Sequence, residues 1–333
     1  MLRSMKIWFK RLLGFGTLAA VLLAAGLAWY ATRPLVITPL PKTVNVAPGM
    51  HLKSLSVMLE REGVVGDARV FWLLGRVLGK AGTLKVGVYT LDKPLTPIEL
   101  YGKIERGDVS QAMVQFIEGR SWREIRTVLA SQPLLKNESA GMSDTQVLRA
   151  IGASEAYPEG LFFPDTYFYA PHTSDLNVLR RAYRLQREKL TSAWQARAPG
   201  LPYETPYEAL IMASIVEKET GAAFERPMIA GVFLNRLKLG MRLQTDPTVI
   251  YGLGERFDGN LRKVDLLADT PYNTYTRTGL PPTPIAMPSA EAIRAALNPA
   301  QTDALYFVSR GDGTHVFSSD LAAHNRAVRR YQK

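Results

Sequence analysis

Hydrophobic and polar positions divide the chain into segments with different periods. Residues 12–31 carry no charge and are almost wholly apolar. At helical rise they extend roughly 30 Å, about one hydrocarbon core. Residues 43–46 then alternate like a strand. Residues 51–62 and 67–78 have the spacing of amphipathic helices, with Gly63 and Gly79 as stops, and residues 84–91 return as a strand. That order is β-α-α-β. Residues 96–106 read as a helix, 110–117 as a strand, and Ser121 caps a helix to Ala130. Ser143 starts another helix, and a long one covers 175–197. Residues 226–239 are amphipathic, the polar turn 244–248 opens a short helix, and Ser289 caps one to Leu297. Residues 305–309 and 316–318 flank Gly311-Asp312-Gly313, a hairpin signal, before a closing helix at 320–331. Helices dominate and strands are short, so the expected fold class is α+β.

One segment departs from amphipathic patterning. Residues 209–216 are apolar on nearly every side, with Ser214 as the exception, and Glu217 follows at once. A helix apolar all round is buried. A carboxylate at its C-terminal end is disfavoured when ionised, by burial and by the helix dipole, which is the environment of a general acid. A helix-end glutamate that turns out to solvent is the structural alternative. Glu219, two residues on, is expected about 200° round the helix, facing away from whatever Glu217 faces.

Composition narrows the chemistry. A hydrophobic fraction of 47% over 333 residues supports a sizeable core and argues against disorder. The absence of cysteine excludes disulfides, thiolate zinc and a cysteine nucleophile. His51, His172, His315 and His324 are scattered with no H-E-x-x-H pair, and no G-x-S-x-G elbow or phosphate loop is present. No metal and no cofactor are therefore expected. Carboxylate chemistry remains. Gln244, Thr245, Asn273 and Thr274 offer hydrogen bonds suited to sugars, and Tyr272 and Tyr275 offer flat faces to pyranose rings. Asp246 or Glu159 could supply a second carboxylate. Each has a structural reading as well: Asp246 before Pro247 is a turn or cap residue, and Asn273 and Thr274 tie down a loop. Residues 157–167 form an aromatic loop that either fills a core edge or lines a cleft.

Charge sets the topology. Arg3, Lys6, Lys10 and Arg11 precede the apolar span, and Trp29, Tyr30 and Arg33 follow at its far interface. The positive-inside rule then places residues 1–11 in the cytoplasm, 12–31 across the membrane and the remainder outside the cytoplasm. A cleaved signal peptide is the rival, but the span is long for one and lacks an A-x-A site. Residues 32–42, with three prolines, read as an extended stalk. The net charge of +11 less the four flanking cations leaves about +7 on the exported part, which suits an anionic polymer or lipid surface. Nucleic acid is not an expected partner.

ASIVEKET (213–220), FLNRL (233–237), MRLQTDPTVIYG (241–252), YNTYTRTGLPPTPI (272–285) and EGLFFPDTY (159–167) resemble the endolytic murein transglycosylase family, also called YceG-like. The likeness covers nearly the whole chain. It implies residues 43–92 as a LysM-like module and 93–333 as a helix-rich catalytic domain in the periplasm, tethered by a single pass through the inner membrane. It further implies a lyase: Glu217 cleaves nascent peptidoglycan strands internally between N-acetylmuramic acid and N-acetylglucosamine, giving 1,6-anhydromuramic ends and stopping elongation. One carboxylate suffices for that route. Glu159, Gln244, Thr245, Asp246, Tyr272, Asn273, Thr274 and Tyr275 are the expected substrate-binding residues, and peptidoglycan synthases the expected partners. A wall-binding scaffold and a hydrolytic muramidase with Asp246 or Glu159 as base are the alternatives.

Overall fold

In the computed structural model of the protein, residues 2–332 are described, without side chains for residues 2–13, Ala19 and Ala81. The cationic flank expected on the cytoplasmic side (Arg3, Lys6, Lys10, Arg11) lies outside the described side chains. The chain divides into two compact units, residues 1–113 with 168–171, and residues 114–167 with 172–333.

The first unit opens with helix α1 (Leu2–Thr32), of which Gly14–Thr32 is long and apolar enough to cross a membrane. Strand β1 (Lys42–Val46), helices α2 (Leu52–Arg61) and α3 (Ala68–Val77), and strand β2 (Gly87–Leu91) follow in the β-α-α-β order read from the periodicity. The strands pair antiparallel, Lys42 opposite Leu91 and Val46 opposite Gly87. Their inward positions, Val44, Val46, Tyr89 and Leu91, are buried against Leu55, Leu59, Phe71 and Leu74 of the two helices. Helix α4 (Pro97–Arg106) completes the core. A capping box between Thr96 and Glu99 starts it, and Gly107 in a left-handed conformation ends it. Tyr101 of α4 stacks on Phe71 with centroids 4.3 Å apart and donates its hydroxyl to the Phe71 carbonyl at 2.6 Å. Gly75 makes this approach possible, because a Cβ there would lie 2.5 Å from the Tyr101 hydroxyl.

Residues 32–42 do not form the expected free stalk. Leu35 and Ile37 are buried in this core, and the Leu35 N–H donates to the Leu95 carbonyl at 2.8 Å. Three prolines suggest an extended segment, but Leu35, Ile37 and, in part, Leu40 pack on the core, while Val36 stays exposed. One face of α1, Leu27, Tyr30 and Ala31, packs on the same core.

Strand β3 (Ala112–Gln115) leads into the second unit. There follow α5 (Trp122–Ala130), β4 (Leu135–Lys136), α6 (Asp144–Ile151), β5 (Thr166–Tyr169), β6 (Thr173–Ser174), α7 (Asp175–Gln195) and α8 (Pro206–Glu219). The chain closes with α9 (Arg226–Lys238), α10 (Asp246–Leu253), α11 (Lys263–Leu267), α12 (Ala290–Leu297), the antiparallel hairpin β7 (Tyr306–Ser309) and β8 (His315–Ser318), and α13 (Leu321–Tyr331). Strands β4 and β6 pair in parallel. Helix α8 is central. Ala209 through Val216 are all buried, and α7, α9, α10 and α12 pack around it. The apolar-all-round pattern was thus a true sign of burial. Its one polar residue is used: the Ser214 hydroxyl donates to the Ile211 carbonyl at 2.7 Å and accepts from the Ile285 N–H at 2.9 Å.

Candidate active site

Helix α8 stops at Glu219, because Thr220 takes an extended backbone (φ −143°, ψ 136°). Its last turn opens on a cleft of about 330 Å³ lined by Glu118, Gly119, Arg120, Glu217, Lys218, Glu219 and Arg226, among others. The facing wall is the segment 117–121. Gly119 has φ +72°, which favours glycine, and its N–H donates to the Met287 carbonyl at 2.8 Å. The Met287 N–H returns a bond to the Arg120 carbonyl at 2.8 Å. These reciprocal bonds lock the 285–289 segment behind the cleft.

Glu217 is the most constrained side chain there. Its side chain is 6% exposed. Ser289 donates to Oε2 twice, from its N–H at 2.9 Å and its hydroxyl at 2.5 Å. Arg226 Nη2 donates to Oε1 at 3.1 Å. Ser289 is also the N-cap of α12, its Oγ accepting from the Ala292 N–H. Glu217 therefore faces the N-terminus of one helix from the C-terminus of another. The neighbouring Glu225 is buried and accepts from the His315 N–H at 2.9 Å and meets Nδ1 at 2.7 Å.

Three further carboxylates line the cleft, Glu118, Glu124 and Glu219. Glu118 is pushed up by burial and by the charge of Glu217. Glu219 is pushed up to about 7, first by burial and then by the nearby Asp246 carboxylate, against a hydrogen bond from the Thr245 hydroxyl that holds it down. Both residues line this cleft, but their carboxylates have separate partners, Thr245 for Glu219 and Ser289 with Arg226 for Glu217.

The expected sugar-binding residues separate into two groups. Thr245, Asn273 and Thr274 are buried and engaged. Asn273 Nδ2 donates to the carbonyls of Asp265, Leu266 and Ala268, and its Oδ1 accepts from the Tyr275 N–H. Thr274 Oγ1 accepts from the Thr245 N–H and bonds Thr248. This is the loop-tying role. Tyr272 is half-buried, its hydroxyl on Thr283 and its ring edge-on to Tyr251. Gln244 and Asp246 are exposed, and Tyr275 is half-buried with its hydroxyl donating to Asp246 at 2.6 Å. Gln244 holds φ +52°, and its side-chain oxygen accepts from Arg236 at 3.3 Å. Those three retain access to solvent.

Glu159 is not brought to the cleft. It is 5% exposed and accepts from the Trp122 N–H at 3.0 and 3.1 Å and from the Tyr251 hydroxyl at 3.0 Å. Burial pushes it up to about 7. The aromatic loop that carries it fills the core: Leu161, Phe162, Phe163 and Tyr167 are buried, and Phe162 stacks on Trp122 at 4.8 Å. Expectations of Glu159 as substrate ligand or second carboxylate are corrected accordingly. Sequence reasoning in turn missed Ser289, Arg226 and Glu118. Ser289 was legible only as a helix cap, and its place beside Glu217 depends on a bond across 72 residues of chain.

A family model described as the YceG-like family matches residues 44–330. A Bacillus subtilis protein named endolytic murein transglycosylase is 30% identical over 305 residues, covering 86% of this chain and 84% of its own length. A Streptococcus pneumoniae protein of the same name is 26% identical over 321 residues, and this chain spans 57% of its length. The crystal structure of a yceG-like protein from Listeria monocytogenes aligns with TM-score 0.58 at 30% identity, over 86% of this chain and 98% of that one.

Proposed function

The chain belongs to the YceG-like family, and we propose that it is a membrane-anchored lytic transglycosylase that cleaves peptidoglycan strands internally with Glu217 as its acid. The observation that carries this is a nearly buried carboxylate that lines an open cleft and is gripped by Ser289 and Arg226. The relatives' shared name supports the substrate class.

In this reading the protonated Glu217 delivers its proton to the glycosidic oxygen between N-acetylmuramic acid and N-acetylglucosamine. The C1–O bond breaks through an oxocarbenium-like transition state. The sugar's own 6-hydroxyl closes on C1, and its proton returns to Glu217. The acid is regenerated and no water is consumed. The ring closure is intramolecular, which supplies the positioning that a free nucleophile would lack. Ser289 suits both protonation states, because a hydroxyl donates to a carboxylate or accepts from an acid. Arg226 stabilises the negative charge left on Glu217 after proton transfer. Gln244, Asp246 and Tyr275 are the solvent-accessible residues for gripping the glycan.

The reading places Gly14–Thr32 across the inner membrane, with the N-terminus cytoplasmic and the catalytic unit periplasmic, acting on nascent strands to end their elongation beside peptidoglycan synthases. The β-α-α-β portion of the first unit is read as LysM-like. A second reading is favoured by the extra carboxylates. Glu118 or Glu219 could activate water, which would make the protein a hydrolytic muramidase. Product mass separates the two, since anhydro ends lack one water. The test is incubation with uncrosslinked peptidoglycan: anhydromuramic internal fragments support the transglycosylase, and reducing ends support the hydrolase.

A further inference from the structure

The apolar span of helix α1 overlaps the part of the helix that packs on protein. Leu27, Tyr30 and Ala31 lie inside the apolar span Gly14–Thr32, yet they pack on the core of the first unit. From Gly14 to Gly26 the helix offers about 20 Å of apolar length, and its described side chains are free of that core, against a hydrocarbon thickness of about 30 Å. Leu35 and Ile37, buried in the same core, leave no slack between anchor and unit. If α1 spans the bilayer, part of the first unit must sit at the depth of its final turns.

Helices α3 and α4 are the partners of α1 in that unit. Helix α3 carries only two charges, both cationic, Arg69 and Arg76, and both are exposed. Arg76 lies over the ring of Trp72 at 5.8 Å. Val77 is 67% exposed at the end of the same helix. A groove of about 420 Å³ between α2 and α3 has Val57, Trp72 and Leu73 in its walls, with Lys53 and Arg69 beside them. Tryptophan, aliphatic side chains and cations together form the composition of a surface at the headgroup layer. A helix is about 10–12 Å across, so every face of α3 lies within that distance of its contact with α1.

We propose that the outer face of α3 and its groove with α2 rest in the headgroup layer of the membrane that α1 spans, with Lys53, Arg69 and Arg76 binding anionic phospholipid headgroups and Val57, Trp72 and Val77 reaching below them. This rests on the reading of α1 as a membrane anchor. It makes the first unit a platform lying on the bilayer.

The chain has no cysteine, so a single introduced thiol reports alone. Full-length protein would be placed in phosphatidylcholine liposomes with and without phosphatidylglycerol, spin-labelled at Val57→Cys, Val77→Cys, Asn45→Cys or Leu22→Cys. Collision with oxygen against a water-soluble nickel chelate reads depth. The proposal expects the Val57 and Val77 labels to favour oxygen, most strongly with phosphatidylglycerol, and the Asn45 label to favour nickel. The double variant R69E/R76E should move both valine labels towards water. Water-like readings at Val57 and Val77, with Leu22 lipid-exposed, would overturn the proposal and leave the anchor standing. A water-like reading at Leu22 would remove the anchor and the proposal with it.

Discussion

Glu217 and Glu159 occupy chemically similar places in two regions of the second unit. Each is nearly buried, and each accepts from a backbone N–H at the start of a helix, Ser289 at α12 and Trp122 at α5. Their remaining partners differ. Glu217 meets an arginine and lines an open cleft, whereas Glu159 meets the Tyr251 hydroxyl and is sealed by the aromatic loop around it. Burial and helix-end bonding alone therefore do not mark chemistry. In the proposed reading, access by a substrate and a partner that stabilises the charge formed in the reaction make the distinction.

The largest expected effect comes from removing the proton of the accessible carboxylate. Glu217→Gln should lower glycan cleavage by about 10²–10⁴-fold, the usual contribution of general acid catalysis, with circular dichroism unchanged. Full activity in that variant would erase the contrast with Glu159.

Ser289→Ala comes next. It removes a hydrogen bond to a charged group, about 1.5–3 kcal/mol, which corresponds to a loss of about ten- to a hundredfold in kcat. It also uncaps α12, at about 1 kcal/mol of stability. Ser289→Thr restores a hydroxyl and should recover both activity and stability. Recovery of stability without activity would mean that Ser289 acts only as a cap.

Glu159→Gln sharpens the comparison from the other side. Its effect on cleavage should stay within about twofold, under 0.5 kcal/mol. Its stability effect should depend on pH. Folded Glu159 keeps its proton up to about 7, while the unfolded chain releases it near the ordinary 4.5. The native state thus binds more protons in that window, and stability falls as pH rises through it. The Gln variant cannot ionise, so its thermal midpoint should gain on the parent between pH 5 and pH 8, by a difference of about 2–3 kcal/mol. A gap that does not change with pH would contradict the buried-acid description.

The smallest effect is expected at Glu219. It is neutral below about pH 7 and ionised above it. Ionised, it places a buried negative charge in the wall of the cleft, where positive charge would develop on the sugar in the transition state. Glu219→Gln should match the parent at pH 5.5 and fall below it at pH 8, by a few-fold. Identical pH profiles would separate Glu219 from the chemistry.

Much of this was legible in the sequence, for reasons that are local. Helix α8 declared its burial by being apolar on every side, and the capping boxes at Thr96, Ser121 and Ser143 fixed the starts of their helices within one residue. The motif at 213–220 carries Glu217, but Glu118, Arg226 and Ser289 lie outside every motif. What the sequence hid is non-local. The bonds from Ser289 and Arg226 to Glu217 join residues 72 and 9 positions away. The bond from Thr245 to Glu219 likewise spans 26 positions. Prolines made 32–42 look like a stalk, and only the folded core revealed that Leu35 and Ile37 have somewhere to go. Asn273 and Thr274 looked equally suited to sugar and to backbone, and the loop uses them for backbone.

The most direct measurement is mass spectrometry of the products formed from uncrosslinked peptidoglycan by the full-length protein and by Glu217→Gln. Internal fragments ending in 1,6-anhydromuramic acid, formed by the parent and absent from the variant, are the predicted result. Equal fragments from both proteins, or reducing ends in place of anhydro ends, would contradict the assignment of Glu217 as the acid of a lytic transglycosylase.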